Sequence, residues 1–453
     1  MADETASLIV SVDKRLNSMS SIARCDPYLF KVPSPLRRVN EKAYEPEMIA
    51  IGPYHRDRDY LQAMTEHKWW YLHQLLQRLN EDSAASYIEA LSELEEKARL
   101  CYAEPITLDK DMFVQMLLLD GCFVVELIRK MTDRKLVGAH DPIFKFQMIL
   151  DSVKRDLLLL ENQLPFFILK TLFDMTLMPN QESNFIELIF KFFRVFPGSG
   201  YKREDQHSLQ NIQHLLGLMH DNWLPSPKGM EAYKNTGERE TQSSRCLILW
   251  PANCGRKRQN EKDDDTRSHM RCATELKEAG IKFKRAEGCS LFDIKFENGT
   301  LLIPKLTIED RTESVLRNLI AYEQFSKVGD DPHHVINYTM LMDCLINTEK
   351  DVELLSRRRI IDNWLGDDAV IATLFNKLLD NVRLCNEKSY YADTYEQVNK
   401  HCSKRCNLWM AKLRHDYFYS PWALISFLAA LLLLSLTLIQ TLYSLLSYYK
   451  KSQ

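Results

Sequence analysis

The stretch DLLLLENQLPFFIL, Asp156 to Leu169, sets a carboxylate and two primary amides, Glu161, Asn162 and Gln163, among leucines and phenylalanines. A carboxylate in such company can serve as a general acid or base, but only beside a second acid, base or metal ligand. His55 in GPYH and Glu323 in AYEQ are proton carriers by type. No Ser, Cys or paired carboxylate near His55 makes a nucleophile set with it, and it reads as a turn residue. His333 and His334, following Asp331 and Pro332, read the same way. KHCSKRC offers His401, Cys402 and Cys406 as metal ligands, yet its cysteine pair has no matching second pair and sits among lysines. Free structural thiols are the preferred reading, with acylation of Cys402 or Cys406 as a second membrane anchor the alternative. The chain has no phosphate-binding GxxxxGK[ST] loop, HExxH helix, GxSxG elbow or kinase signature, so no catalytic residue, metal or cofactor is assigned.

A structural role for Glu161, Asn162, Gln163 and Pro165 is preferred over catalysis. Pro165 has no N–H and would collide with the carbonyl of Glu161, so an unbroken helix is unfavourable there. Leu157 to Leu160 are expected to continue a helix begun near Phe146 and to be buried, with the chain bending before Pro165. The three polar side chains would then satisfy the backbone groups freed by the bend. Glu161 would also need a cationic or donor partner, for which Arg317 is the candidate.

Apolar residues at three- and four-residue spacing predict helices in MFVQMLLLDGCFVVELIRKM, NFIELIFKFFRVF, SVLRNLIAYEQF, VINYTMLMDCLI and RRRIIDNWLGDDAVIATLFNKLLDNVRL. Trp69, Leu72, Leu76 and Leu79 form one stripe of a further helix, which reads as core, with an aromatic partner site at Trp69 or Trp70 as the alternative. MRCATELKEAG predicts a helix stopped at Gly280. SLFDIKFENGTLLIPKL switches to alternation around Asn298-Gly299, the pair favoured in a two-residue hairpin turn. The fold class expected is mainly α, a multi-helix body with a small hairpin sheet and one C-terminal transmembrane helix.

The chain of 453 residues carries 59 Lys plus Arg against 62 Asp plus Glu, a net charge of −3, and no basic field suggests nucleic acid. Eleven cysteines without a CxxC pair fit reduced thiols better than a disulfide framework. The first residues lack the basic and apolar regions of a secretory signal. Tyr417 to Tyr449 contains no Asp, Glu, Lys, Arg or His and is long enough to cross a bilayer. Trp422, Tyr448 and Tyr449 sit where aromatic rings prefer the membrane interfaces. Basic residues ahead of the span predict a cytosolic body, and the sequons at Asn298 and Asn337 are a counter-signal that matters only in a lumenal domain. The expected organisation is a flexible terminus at 1–24, a helical body at 25–416 with a polar insertion at 225–268, a span at 417–449 and a tail at 450–453.

Several stretches, in order, resemble the plant-specific domain-of-unknown-function 247 family: YLFKVPSPLRRVNEKAYEPEMIAIGPYHR, EHKWWYL, LLLDGCFVVEL, LLLLENQLPFF, ATELKEAGIKFK, LFDIKFENGTLLIP, RNLIAYEQ and YTMLMDCLINTEKDVELL. The resemblance covers nearly the whole chain and implies a largely helical, membrane-anchored plant protein of the UPF0481 type. It implies a family whose grass members include components associated with self-incompatibility loci, and it carries no established catalytic residue. Two readings of different class follow. The preferred one is a membrane-anchored interaction or recognition module, not an enzyme, with lipid around its C-terminal helix, an unknown protein partner and no small-molecule substrate. The alternative is a membrane-tethered enzyme whose pocket between helices uses Glu161, His55 or Glu323.

Overall fold

Lys110–Thr132 is apolar on nearly every side, and such a helix is stable only when surrounded. Asp109 starts it by accepting from Met112 N at 2.8 Å, and every residue from Met116 to Lys130 is buried. Helices Ala63–Leu79, Ala85–Arg99, Phe166–Met175 and Phe185–Phe192 pack around it. The computed structural model describes residues 26–138, 141–178, 184–193, 212–225, 270–287, 290–325, 333–384, 389–403 and 421–451, with Ile9, Val12 and Asp13. Most of the terminus at 1–24, the insertion at 226–268 and Cys406 therefore lie outside the described residues.

Downstream, Thr312–Glu323, His334–Leu345, Glu349–Arg357 and Asp368–Leu378 form a second set of packed helices. One continuous cluster of buried apolar side chains, from Leu29 to Cys402, joins the two sets. The chain is thus mainly helical with small sheets, as the periodicity predicts. Thr300–Pro304 is the middle strand of three, parallel to Lys282–Ala286 and antiparallel to Lys295–Glu297. Asn298 and Gly299 close that hairpin with φ of 50° and 75°, the paired positive values that an Asn-Gly turn supplies. Ala273–Glu278 ends at Gly280, whose φ is 90°.

Two periodicity readings need correction. Within RRRIIDNWLGDD, Ile361–Asn363 is a strand paired in parallel with Leu306–Ile308, and the helix begins only at Asp368. Its two isoleucines occupy sheet and core positions that helical spacing could not distinguish. In Ala63–Leu79 the buried face is Met64, Lys68, Tyr71, Leu72 and Leu75, while Trp69 is 41% exposed. The stripe is rotated because Lys68 and Tyr71 have polar partners inside the core.

Pro421–Lys451 is one helix, and Ile425–Tyr443 within it has a mean hydropathy of 2.2 with none of that window buried against the body. It is long and apolar enough to cross a membrane. Trp422, Tyr448 and Tyr449 lie on its backbone, and their side chains are outside the described residues.

Glu349–Arg357 ends in a reverse turn in which Arg359 N donates to Ser356 O at 2.8 Å and Ile360 N donates to Leu355 O at 3.0 Å. Arg359 occupies the position where glycine is cheapest, with φ of 58°. The other non-glycine residues with positive φ among those described, Asn80, Asn298 and Asn381, are all asparagine, which tolerates this conformation. Arg359→Gly is expected to stabilise the full chain in detergent by about 1 kcal/mol, read as a higher melting temperature.

Candidate functional site

The helix Gln147–Asp156 stops at Asp156, so Leu157 to Leu160 do not continue it. They are buried in tight turns closed by Leu158 N donating to Arg155 O and Leu159 N to Asp156 O. The cause is downstream. Asn162 Nδ2 donates to Asp156 O at 2.9 Å, and Gln163 Nε2 donates to Leu157 O and Leu159 O, both at 2.8 Å. These amides take carbonyls that a continuing helix would have paired with its own N–H groups. Pro165 stands at the N-terminus of Phe166–Met175, and Phe166 N donates to Gln213 O at 2.7 Å.

The same side chains hold a second segment. Residues 45–52 run through the protein without a sheet partner, and 49–52 are buried, so their backbone groups need partners from side chains. The Asp156 carboxylate accepts from Glu47 N, Met48 N and Ile49 N at 2.7–3.0 Å. Asn162 Oδ1 accepts from Ile51 N at 2.6 Å, and its Nδ2 also donates to Ile49 O at 3.0 Å. Lys68 Nζ donates to Ala50 O at 2.6 Å and to Asp120 Oδ1, while Asp120 Oδ2 accepts from Gly52 N at 2.8 Å. Gly52 has φ of 75°, and a Cβ there would lie 2.7 Å from Gln163 O. Only glycine fits.

Glu161 completes the clamp one layer away. Oε1 accepts from Val32 N and from Arg37 Nη2, both at 2.6 Å, and Oε2 lies 3.2 Å from His55 Nε2. The His55 approach is short but poorly aligned for a hydrogen bond. Burial pushes the Glu161 carboxyl up, and His55, Arg37 and Val32 N outweigh it, holding it below the usual carboxylate range. Arg317 is not its partner. Its Nε donates to Glu313 at 2.7 Å on the same helix, because that carboxylate lies one turn away.

Glu323 does not join Glu161 and His55. Its oxygens accept from Val335 N at 2.8 Å and Ile336 N at 2.9 Å, so it caps His334–Leu345, and it lies 2.9 Å from His220 Nε2. Burial lowers His220, but Asp221 and Glu323 overcome it and raise the imidazole to about 9. His214, across the Tyr322 ring, is lowered to about 3 by burial and by His220. Its Nδ1 accepts from Gly217 N at 3.0 Å, which needs the unprotonated nitrogen.

His401 packs edge-on to Phe296 of the hairpin, and burial raises the Cys402 thiol. Among the described residues no His, Cys, Asp and Glu side chains gather as a metal site. An open depression at the start of Glu349–Arg357 is lined by Asn347, Thr348, Glu349, Lys350, Thr373 and Asn376. Asn298 is exposed, whereas the Asn337 amide donates to His333 O and accepts from Ser389 Oγ, so a glycan there would break a helix contact.

The residues quoted from the N-terminal motif, EHKWWYL, LLLDGCFVVEL and LLLLENQLPFF are therefore one bonded unit. The chain belongs to the domain-of-unknown-function 247 family. That family, plant proteins of unknown function, matches residues 29–436. UPF0481 protein At3g47200 of Arabidopsis thaliana is similar at 30% identity over 93% of this chain and 86% of its own. Putative UPF0481 protein At3g02645 of the same plant is 24% identical over 92% of this chain and 90% of its own. No solved structure matches. Sequence reasoning missed Asp156, Asp120 and Lys68 as members of the clamp. The available signal was a charge inside an apolar run, LLLDGCF, for Asp120, and a carboxylate at the edge of one, KRDLLLL, for Asp156.

Asn162→Ala leaves Ile51 N and Ile49 O without partners and removes one of the two donors to Asp156 O, and it is expected to lower unfolding stability by about 2–4 kcal/mol in denaturant titration. The histidines set a pH optimum. A raised His220 contributes stability that is complete below its unfolded value near 6.5 and is lost as pH rises through about 9, roughly 3 kcal/mol in all. A depressed His214 makes stability fall as pH drops from 6.5 towards 3. Melting temperature against pH should peak near 6.5, and His220→Asn should flatten the alkaline side and, by removing one of the two causes that lower His214, soften the acid side to a smaller degree.

Proposed function

We propose that this chain is a membrane-anchored interaction module, with Pro421–Lys451 in the bilayer and the body on the cytosolic face, and that it is not an enzyme. One observation supports this reading most: the polar side chains an active site would use are occupied by the backbone. Glu161, Asn162, Asp156, Asp120 and Glu323 each accept main-chain N–H groups, and these bonds direct their lone pairs at the chain itself. Catalysis needs such groups turned towards a concavity where a substrate can reach them. Surface aromatic side chains are available for a partner instead, with Tyr60 56% and Trp364 69% exposed.

The arrangement makes Glu161 a stability residue. Glu161→Gln should lower the melting temperature and leave the set of neighbours biotinylated by proximity labelling in intact plant cells unchanged per folded molecule. A variant that melts normally but loses a measurable turnover would reverse the assignment. For topology, protease added to sealed microsomes should digest the body. Protection of the body, with glycan on Asn298, would place it in the lumen.

A further inference from the structure

The turn after Glu349–Arg357 carries three exposed arginines in succession, Arg357, Arg358 and Arg359. Arg357 is engaged by Glu353 at 2.5 Å. The guanidinium groups of Arg358 and Arg359 have no hydrogen-bond or ion-pair partner among the described residues. The acids that follow in the chain have other partners: Asp362 is paired with Lys305 at 2.6 Å, Asp367 caps the next helix through Ala369 N, and Asp368 accepts from Asn363 Nδ2. Beyond the short strand Ile361–Asn363 stands Trp364, 69% exposed, an aromatic type suited to the boundary between lipid and water.

Arg359 adds an independent observation. Its left-handed backbone would be relaxed by glycine, and the turn's two hydrogen bonds are made by main-chain atoms, so the fold gains nothing from the arginine side chain. An arginine on a backbone that glycine would relax, with no partner for its guanidinium in the fold, is free to serve a ligand outside it.

We propose that Arg358 and Arg359, with exposed Trp364 following the strand after them, bind anionic phospholipid headgroups of the bilayer that the chain's own C-terminal helix crosses. The inference rests on the membrane-anchored reading, and the helix supplies the choice of ligand. The chain between Ser403 and Pro421 can extend no more than about 60 Å, so the body stays within that distance of the bilayer once the helix is inserted. Guanidinium groups pair with phosphate oxygens through two parallel hydrogen bonds. At a tethered surface, even two such contacts would orient the body.

The test uses the full chain reconstituted into phosphatidylcholine vesicles and into mixed phosphatidylcholine–phosphatidylserine vesicles. Amide hydrogen exchange across 357–366 is compared after flotation. Exchange should slow in the phosphatidylserine vesicles, recover in high salt, and lose roughly fivefold protection for each arginine replaced in Arg358→Gln and Arg359→Gln. Arg359→Gly separates binding from folding, because it should melt higher than the parent and still lose lipid-dependent protection. A floated chain with equal exchange in both lipids, or an Arg358→Gln/Arg359→Gln variant that keeps its protection, overturns the inference alone. Equal protection from free inorganic phosphate over phosphatidylcholine would assign the site to a soluble anion and also overturn it. A chain that does not float overturns the anchored reading and this inference with it.

Discussion

The structure depends on a stretch of backbone that belongs to no helix and no sheet. Residues 49–52 are buried, and a main chain in that position would strand an N–H and a C=O at each residue. Side chains from three different regions replace the missing ladder: Lys68 from the first long helix, Asp120 from the central one, and Asp156 at the end of Gln147–Asp156 with Asn162 from the turn after it. Each must be in place for the others to be satisfied. Gly52 makes the approach to Gln163 O close enough for the layers to meet.

This arrangement accounts for the unusual density of buried charge. Lys68 with Asp120, Arg155 with Asp156, Arg37 with Glu161, and Lys130 with Asp141 are ion pairs whose members are buried or nearly so. Buried pairs contribute little net stability, because desolvation offsets most of their attraction, yet removing one partner is strongly destabilising. Their effect is on uniqueness. A segment held by hydrophobic contact alone could slide by a residue, whereas one held by Asp156 on Glu47, Met48 and Ile49 has a single register. Arg155 and Asn318 extend the same control, donating to the carbonyls of Glu45, Lys42 and Ala43.

The second half of the chain uses similar chemistry to close a different gap. Glu323, at the end of Thr312–Glu323, caps the helix that begins at His334, and His220 neutralises it from the side. Tyr322 separates His220 from His214, so two histidines of the same short region hold opposite protonation states. Both follow from their immediate surroundings: two carboxylates around one ring, and for the other, burial together with the nearby His220 charge.

Local pattern was enough for the features whose physics is local. Spacing of apolar residues located the Lys110–Thr132, Thr312–Glu323 and His334–Leu345 helices, Asn298-Gly299 located the hairpin, and the unbroken apolar run located the C-terminal helix. That Pro165 would interrupt the helix was equally readable, since a missing N–H is a property of the residue. Where Leu157 to Leu160 would go was not. Their helix ends because Asn162 and Gln163 capture its carbonyls, which happens only when the segment ending at Gly52 is lying alongside. Partner choice was likewise settled by folding: Glu161 takes Arg37 and His55, 124 and 106 residues before it in the chain, because tertiary packing brings them to its oxygens while Arg317 has a carboxylate one turn away. Trp69 faces outward and Lys68 inward for the same reason, since only the assembled core supplies Ala50 O and Asp120 to an ammonium group. Residue type dictates which groups need partners, and the three-dimensional arrangement decides which partners are within a hydrogen bond's reach.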